Sequence, residues 1–249
     1  MFIAVFARQC IHRLTKLSTR GLRTVGYTVV LLLGSTQVAH AIQIHRVDTD
    51  VFISGDIVAN DDVKLRTELE SAPVKRLILV NSRGGHLFAS MKIARWLTAH
   101  PLTTLVSGPC LSACSLIFMA GQQRQYATGY EPRLTVVGIH GPSMPLTGEM
   151  LPAHAADMLS FYKERMGDKY DADLRVALFE LKDASGFMLI HEISRNQPRD
   201  RITLLCPTSS TPRWRCTEYP RQDAYTLGLV TSTETVALEL PDEMRPRMP

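Results

Sequence analysis

The sequence predicts an α/β fold with repeated βαβ units and a largely parallel core. The run Leu77-Ile78-Leu79-Val80 is too short for a helix and is typical of a strand buried on both faces. A glycine-rich break follows it, and the next apolar residues recur at helical spacing. The same order of strand, break and helix then repeats. Such alternation is typical of parallel sheets, whose neighbouring strands are joined by crossover helices.

The predicted elements alternate along the chain. In order they are a short β opening (45–55), a polar helix (61–70), a strand (77–80), a break (81–85), a helix (about 87–97), a strand (102–107), a break at Gly108 and Pro109, a helix (about 113–120), and a strand (135–139). Two further helices have apolar faces formed by Ala155, Met158, Leu159, Tyr162 and Met166, and by Leu174, Ala177, Leu178, Leu181 and Met188.

The chain begins with an expected export signal at residues 1–41, followed by a domain at 42–233 and a flexible tail at 234–249. The leader contains five basic residues and no acidic one, then an apolar run, then Ala39-His40-Ala41. This order is typical of a signal peptide cleaved after a small-x-small motif. Cleavage near Ala41 predicts a periplasmic or secreted protein, and the alternative is an uncleaved N-terminal anchor. The tail is rich in proline and charge.

The charge of the mature part argues against nucleic-acid binding. The whole chain has 28 basic and 24 acidic residues, a net charge of +4. Without the five basic residues of the leader, 23 basic and 24 acidic residues remain, a net charge of about −1. Four cysteines also remain in the mature part, where an oxidising compartment allows pairing. They lack nearby histidines at zinc-site spacing, so no metal and no cofactor is expected.

Three segments carry candidate chemistry, and each also has a structural explanation. Gly84 and Gly85 follow a strand, where they form either a tight turn or a loop of exposed amides that binds an oxyanion. Ser112 precedes an apolar helix, where a serine is either an N-cap or a nucleophile at the helix N-terminus. His140 ends an apolar strand, where a histidine is either structural or a general base. We interpret His45, His86, His100, His154 and His191 as surface or core residues.

Together these segments resemble the ClpP serine peptidase family and its ClpP/crotonase-like fold. The resemblance rests on Val51-Phe-Ile-Ser-Gly55, Asn81-Ser-Arg-Gly-Gly85, the segment 108–121, Val137-Gly-Ile-His140 and Asp223-Ala-Tyr-Thr-Leu-Gly228-Leu-Val, in that order. It implies that Ser112 is the nucleophile and His140 its base. It also implies that the amides of Gly84 and Ala113 form the oxyanion hole.

The resemblance leaves the third catalytic residue and one cysteine pair open. Asn196 matches the position of the family's catalytic aspartate best, Asp200 is the alternative, and a Ser–His dyad is the third case. Relative to the family, residues 206–216 are an insertion, and pairing of Cys206 with Cys216 would close it. Cys110 and Cys114 flank the predicted nucleophile and are either paired or two buried thiols.

The predicted function is therefore an exported, ATP-independent serine peptidase that cleaves peptides or unfolded protein. An ATP-driven unfoldase is not expected outside the cytoplasm, although a homo-oligomer is. The alternative is a catalytically inactive ClpP-like binding or scaffold protein. Acyl-CoA chemistry, which the crotonase-like fold also hosts, is disfavoured because CoA is scarce outside the cytoplasm. A serine–lysine mechanism is disfavoured because no lysine is suitably placed in the sequence.

Overall fold

The central strands of the protein are the continuous apolar runs of the sequence. Leu77, Ile78, Leu79 and Val80 are all fully buried, as expected for a strand covered on both faces. The computed structural model describes residues 41–143, 151–172, 187–191, 203–206, 215–218 and 223–246. These residues belong to one unit that spans Val38–Pro249.

The described helices and strands follow the predicted alternation. The strands are β1 (Gln43–Val47), β2 (Asp50–Ser54), β3 (Arg76–Ser82), β4 (Thr103–Leu111), β5 (Gln123–Tyr126), β6 (Val136–Ile139), β7 (Phe187–His191), β8 (Thr203–Cys206) and β9 (Thr217–Glu218). The helices are α1 (Asp61–Ser71), α2 (Leu87–Ala99), α3 (Ala113–Ala120) and α4 (Pro152–Met166). Among the described residues, none of these helices is both long enough and apolar enough to cross a membrane.

The described strands form one sheet with a parallel centre and antiparallel edges. Its order is β1-β2-β3-β4-β6-β7-β8-β9, and β5 pairs separately with β4. The pairs β2–β3, β3–β4, β4–β5 and β4–β6 are parallel, whereas the pairs at both ends of the order are antiparallel. The predicted α/β class with a largely parallel core is therefore confirmed.

Strand β4 is longer than the sequence suggested and pairs with two strands on the same side. Residues 103–106 pair with β5, and residues 109–111 pair with β6. Gly108 and Pro109, predicted as a break, lie inside β4. Pro109 is tolerated there because it lies in the part of the strand where the ladder changes from one partner to the other. The pairing of residues 109–111 with β6 places the end of β6 next to the end of β4.

The two faces of the sheet are covered differently. Helices α1, α2, α3 and α4 contribute to the main core, with Ile93, Leu97 and Phe118 fully buried. The opposite side of the sheet contributes Phe52, Ile78, Val80 and Leu105 to a second cluster, which also contains Leu240 and Met244. A flexible tail was expected from residue 234, but the described part of that segment is packed. Its residues Leu240 and Met244 belong to the second cluster, and Val236 and Leu238 pack against that cluster.

One other prediction is corrected by the structure. Met188 was assigned to the apolar face of a helix beginning near Leu174, but it lies in strand β7. A short apolar run does not distinguish a buried strand from a buried helix by periodicity alone. The pairing of Met188 with Leu205 and Ile139 in the sheet decides it. The other residues of the predicted helix lie outside the described residues.

Candidate active site

The candidate site lies where three neighbouring parallel strands end. Gly84 follows β3, Ser112 follows β4 and His140 follows β6. Because these strands are parallel and adjacent, their carboxyl ends share one edge of the sheet, where active-site groups of α/β proteins collect. The structure thus brings together three segments that are far apart in the sequence.

Ser112 has the position of an N-cap but contacts a histidine. It precedes α3 with φ 56° and ψ −127°, a conformation outside the helical region. Its N–H donates to the carbonyl of Gly138 at 2.8 Å, which fixes the turn against β6. Its Oγ lies 2.6 Å from Nε2 of His140, whereas the helix receives no side-chain cap from it. This geometry is that of a nucleophile and its base.

His140 is held in an environment that favours its neutral form. The side chain is partly buried, and burial lowers its pKa below the ordinary value of 6.5, against a raising effect of the backbone hydrogen bond at Gly141. A neutral imidazole near physiological pH accepts a proton from a hydroxyl group. The residue therefore has both the contact and the protonation state that a general base needs.

The two expected oxyanion donors differ in their surroundings. The Ala113 N–H is the first amide of α3, and the first amides of a helix have no acceptor within the helix. The Gly84 N–H already donates to Ser82 Oγ at 3.2 Å. A substrate oxyanion would therefore meet Ala113 directly and would share or displace the bond between Gly84 and Ser82.

Gly84 is confined by the turn that contains Ser112. Its φ is +92°, and a Cβ built on it would lie 2.4 Å from the Leu111 carbonyl oxygen and 2.7 Å from Ser112 Cβ. The Gly84 carbonyl accepts from the Ile57 N–H at 2.7 Å, which ties the loop to the segment after β2. Only glycine combines this φ with this close approach.

A cavity of about 450 Å³ opens at Ser112 and His140. Apolar side chains dominate its lining, which includes Ile57, Leu87, Phe88, Leu116, Leu151 and Met158. Phe88 is unusual for a large apolar residue because 52% of it is exposed. The cavity can therefore take an apolar group beside the reactive hydroxyl.

Several site residues differ from, or were absent from, the sequence interpretation. Asn196 and Asp200 lie outside the described residues, so the choice between them stays a prediction. His86, interpreted as a surface or core residue, caps α2 by accepting from the Ala89 N–H at 3.1 Å and also lines the cavity. Its place directly after Gly84 and Gly85 and before an apolar run was the available signal.

Behind Ser112, Ser115 and Tyr162 form a buried pair that the sequence did not reveal. Ser115 Oγ lies 2.6 Å from the Tyr162 hydroxyl and donates to the Ser112 carbonyl at 2.5 Å. Ser115 is fully buried, and its hydrogen bond to the Ser112 carbonyl supports the turn. The two residues are 47 positions apart in the sequence, and no local pattern links them.

The structure pairs all four described cysteines. Cys206 is bonded to Cys216, as expected from the insertion, and Cys110 is bonded to Cys114. The sequence left the second pair open between a disulfide and two buried thiols. The structure shows the disulfide, and it crosses the turn that contains Ser112.

Comparison with known proteins gives a family match in the same region. Residues 48–168, which include Gly84, Ser112 and His140, match the family model described as Clp protease. Among curated proteins, no match was found.

Among solved structures, the chain is similar to ClpP1 from Listeria monocytogenes, with 18% identity, coverage of 79% of this chain and 95% of that chain, and a TM-score of 0.44. It is also similar to a mutant of the 1510-N membrane-bound stomatin-specific protease, with 13% identity, coverage of 77% and 79%, and a TM-score of 0.42. A third match is a protein assigned as an enoyl-CoA hydratase from Streptomyces coelicolor A3(2), with 13% identity and a TM-score of 0.31. This match covers 43% of the chain, which spans about half (52%) of the length of that protein.

Proposed function

We propose that this chain, whose residues 48–168 match the Clp protease family model, is an exported serine peptidase with Ser112 as nucleophile and His140 as general base. The observation that carries the proposal is the 2.6 Å contact between Ser112 Oγ and His140 Nε2 in the wall of an apolar cavity. A hydroxyl group becomes a nucleophile when a neutral imidazole takes its proton as it attacks.

The reaction divides into two steps. In the first, Ser112 Oγ attacks the peptide carbonyl carbon, and His140 accepts the hydroxyl proton and passes it to the leaving amine. In the second, His140 takes a proton from water, the hydroxide attacks the acyl-enzyme ester, and the proton returns to Ser112 as the acid leaves. The Ala113 amide, and the Gly84 amide once it is released from Ser82, would bind the oxyanion that forms in both steps.

The cavity favours substrates with an apolar side chain near the scissile bond. Phe88, Leu116 and Met158 line it beside Ser112. In an exported protein no ATP-driven unfoldase would deliver folded chains, so the substrates would be short peptides or unfolded segments. We therefore expect the peptidase to work without ATP, to need no cofactor, and to have no function in nucleic-acid binding.

Cleavage of the leader after Ala41 fits the contacts of the first residues of the domain. Ile42 is 1% exposed, and its backbone N donates to Asp61 Oδ2 at 3.3 Å. After cleavage this nitrogen would be a charged amine beside a buried carboxylate, which favours the pairing. Intact-mass measurement of the exported protein should give the mass of residues 42–249. The mass of residues 1–249 in a membrane fraction would instead support the uncleaved N-terminal anchor.

We further propose that the peptidase is a homo-oligomer, as the family match suggests. Light scattering on the mature chain tests this directly. A mass equal to one chain, in a sample that is active, would contradict it.

The decisive experiment is active-site labelling of the mature chain with a fluorophosphonate, which reacts with activated serines. We expect labelling of the starting protein, loss of labelling in Ser112→Ala and strong slowing in His140→Ala. Ser143→Ala is the matched control, since this second serine lines the same cavity, and it should label normally. Absence of labelling in the folded, oxidised starting protein would overturn the proposal and favour the inactive scaffold.

A further inference from the structure

The disulfide between Cys110 and Cys114 encloses the proposed nucleophile. Cys110 is the penultimate residue of β4, Cys114 is the second residue of α3, and Ser112 lies midway between them. Both cysteines are fully buried. The bond therefore connects the end of the strand to the first turn of the helix across the residue that must react.

The backbone of Ser112 needs such support. A φ of 56° with a ψ of −127° is rare for a residue with a side chain. It persists only where the surroundings hold it. Hydrogen bonds hold it on two sides, from its own N–H to the Gly138 carbonyl and from the Ser115 N–H to its carbonyl at 2.9 Å. Relaxation of this backbone would rotate Oγ away from His140.

The two cysteines belong to different elements of the fold, Cys110 to strand β4 and Cys114 to helix α3. Cys110 is paired in the sheet with Ser82 on one side and Val137 on the other. Cys114 belongs to α3, a helix of eight residues that packs on the main core. Reduction replaces the bond by two thiols that repel each other at bonding distance, and burial leaves them little room. They must therefore move apart, which shifts the first turn of α3 relative to β4.

We propose that the Cys110–Cys114 disulfide positions Ser112, so that the hydrolase is active when this pair is oxidised and inactive when it is reduced. The inference rests on the proposed function of Ser112 as a nucleophile. It assigns the two cysteines a positioning role, because neither is the reacting atom. A chain made in a reducing cytoplasm would then stay inactive until it reached an oxidising compartment.

Formation of the bond balances as a thiol–disulfide exchange. A thiolate of one cysteine attacks a small-molecule disulfide such as oxidised glutathione and releases one glutathione thiol. The second cysteine attacks the mixed disulfide and releases the other. Two protein thiols are oxidised and one disulfide is reduced to two thiols. Excess dithiothreitol reverses the exchange and ends as its own cyclic disulfide.

The test uses the mature chain unfolded in urea with dithiothreitol and refolded either with oxidised glutathione or with reductant. The rate of fluorophosphonate labelling is measured for both samples, with kinact and KI separated. The double variant C110A/C114A is compared with the matched control C206A/C216A, which lacks the other disulfide. Urea unfolding reports whether each sample is folded.

We expect the reduced protein and C110A/C114A to fold and to label about a hundredfold more slowly, mainly through kinact, as expected when oxyanion and nucleophile geometry is lost. Reoxidation should restore the rate of the starting protein but not that of C110A/C114A. The control C206A/C216A should lose and regain labelling with reduction and reoxidation, as the starting protein does.

Three outcomes would overturn the inference. Normal labelling of folded, reduced protein or of C110A/C114A would show that Ser112 does not need the bond. If neither the reduced protein nor C110A/C114A unfolds cooperatively, the bond is needed for folding and not for positioning. Absence of labelling in the oxidised starting protein would instead overturn the proposed function, and the inference with it.

Discussion

At the residue scale, Ser112 has a strained backbone conformation, and its side chain contacts His140. A non-glycine residue in its conformation costs about 1–3 kcal/mol, which the surrounding contacts must offset. Gly84 packs so closely against it that the two turns support each other. The strain therefore lies where Oγ must meet His140, as is common for reactive residues.

Gly84→Ala should disrupt the site more than the fold. The new Cβ would meet the Leu111 carbonyl oxygen at 2.4 Å and the Ala113 nitrogen at 2.8 Å. Because both atoms belong to the turn at Ser112, we expect the turn and the Gly84 amide to be displaced. Fluorophosphonate labelling should then slow by about a hundredfold, as it does when an oxyanion donor is lost. Labelling kinetics, together with urea unfolding, measure the two effects separately.

Gly167→Ala is the matched control for Gly84→Ala. Gly167 also has a positive φ, of +59°, but a Cβ there would meet nothing within 4 Å. A side chain in this conformation, with a ψ of −136°, should cost about 1–3 kcal/mol of stability through backbone strain alone and leave labelling unchanged. Equal slowing of labelling in both variants would show that close packing at Gly84 is not what the site requires.

The pH dependence of labelling should report the buried His140. Burial lowers its pKa below 6.5, so the neutral base should persist to lower pH than it would in a free histidine. We expect the rate to fall on the acid side with a midpoint below 6.5. Rate measurements from pH 4.5 to 8 on the mature chain locate this midpoint. A midpoint above 6.5 would contradict the direction of the shift.

The same shift has a consequence for stability. Because the folded pKa of His140 is lowered, the unfolded chain binds the proton first as the pH falls below 6.5. Its contribution to stability is therefore present above 6.5 and is lost progressively as the pH falls toward the folded pKa. His140→Gln should remove this part of the pH dependence in urea unfolding, and an unchanged dependence would show that other groups dominate.

At the element scale, α3 joins the site to two arginines, the buried Arg124 and the half-buried Arg165. Its first amides face the site, and its last carbonyls accept from Arg124 and Arg165. Arg165 donates to the Met119 carbonyl at 2.9 Å, and both arginines donate to the Gly121 carbonyl. Positive charge at the carboxyl end of a helix stabilises its dipole. Burial, and secondly repulsion by Arg165, lower the pKa of Arg124 to about 10.

Arg124→Met should strongly destabilise the protein. Arg124 is 4% exposed and also donates to the carbonyls of Gly228 and Leu229, which lie in the turn after Asp223. The substitution leaves several buried carbonyls without this donor, so we expect a loss of about 3 kcal/mol or more in the free energy of unfolding. Urea unfolding measures it.

Arg66→Met serves as the comparison for this loss. Arg66 is exposed and pairs with Glu70 one turn further along α1, at 3.3 Å. Its removal should cost less than about 1 kcal/mol. Similar losses for both variants would show that the hydrogen bonds of the buried Arg124 contribute no more than a surface ion pair.

At the scale of the whole molecule, the C-terminal segment from residue 234 covers one face of the sheet. Val236 forms a bridge with Ala127, and Leu240 packs onto the face of the sheet away from the helices. Without this cover, Phe52 and Leu105 would face solvent, at about 25 cal/mol for each Å² of apolar surface. The segment is part of the core, although its composition resembles a tail.

Leu240→Ala tests this role. Leu240 is 4% exposed, and its truncation should leave a cavity and cost about 2–5 kcal/mol in the free energy of unfolding. Leu134→Ala, at a leucine that is 39% exposed, should cost less than about 1 kcal/mol. If both variants unfold at the same urea concentration as the starting protein, the segment does not contribute to the core.

Much of the centre of this protein could be predicted from local sequence. The buried run at 77–80, the helical spacing after it and the position of Ser112 before an apolar helix depend on neighbours only a few residues away. The sequence therefore determined the α/β class and the three segments that contain Gly84, Ser112 and His140, although the predicted break at Gly108 and Pro109 lies inside β4. Parallel pairing then brings those segments together, because it places the carboxyl ends of the strands at one edge.

Only the tertiary structure decided which residues far apart in the sequence contact each other. The contacts of Ser115 with Tyr162 and of Arg124 with Leu229 join residues 47 and 105 positions apart, and no local pattern encodes them. The same holds for the packing of Leu240 against the sheet residues Phe52 and Leu105. These features depend on the space left after the sheet and helices have packed, and that space is a property of the whole chain.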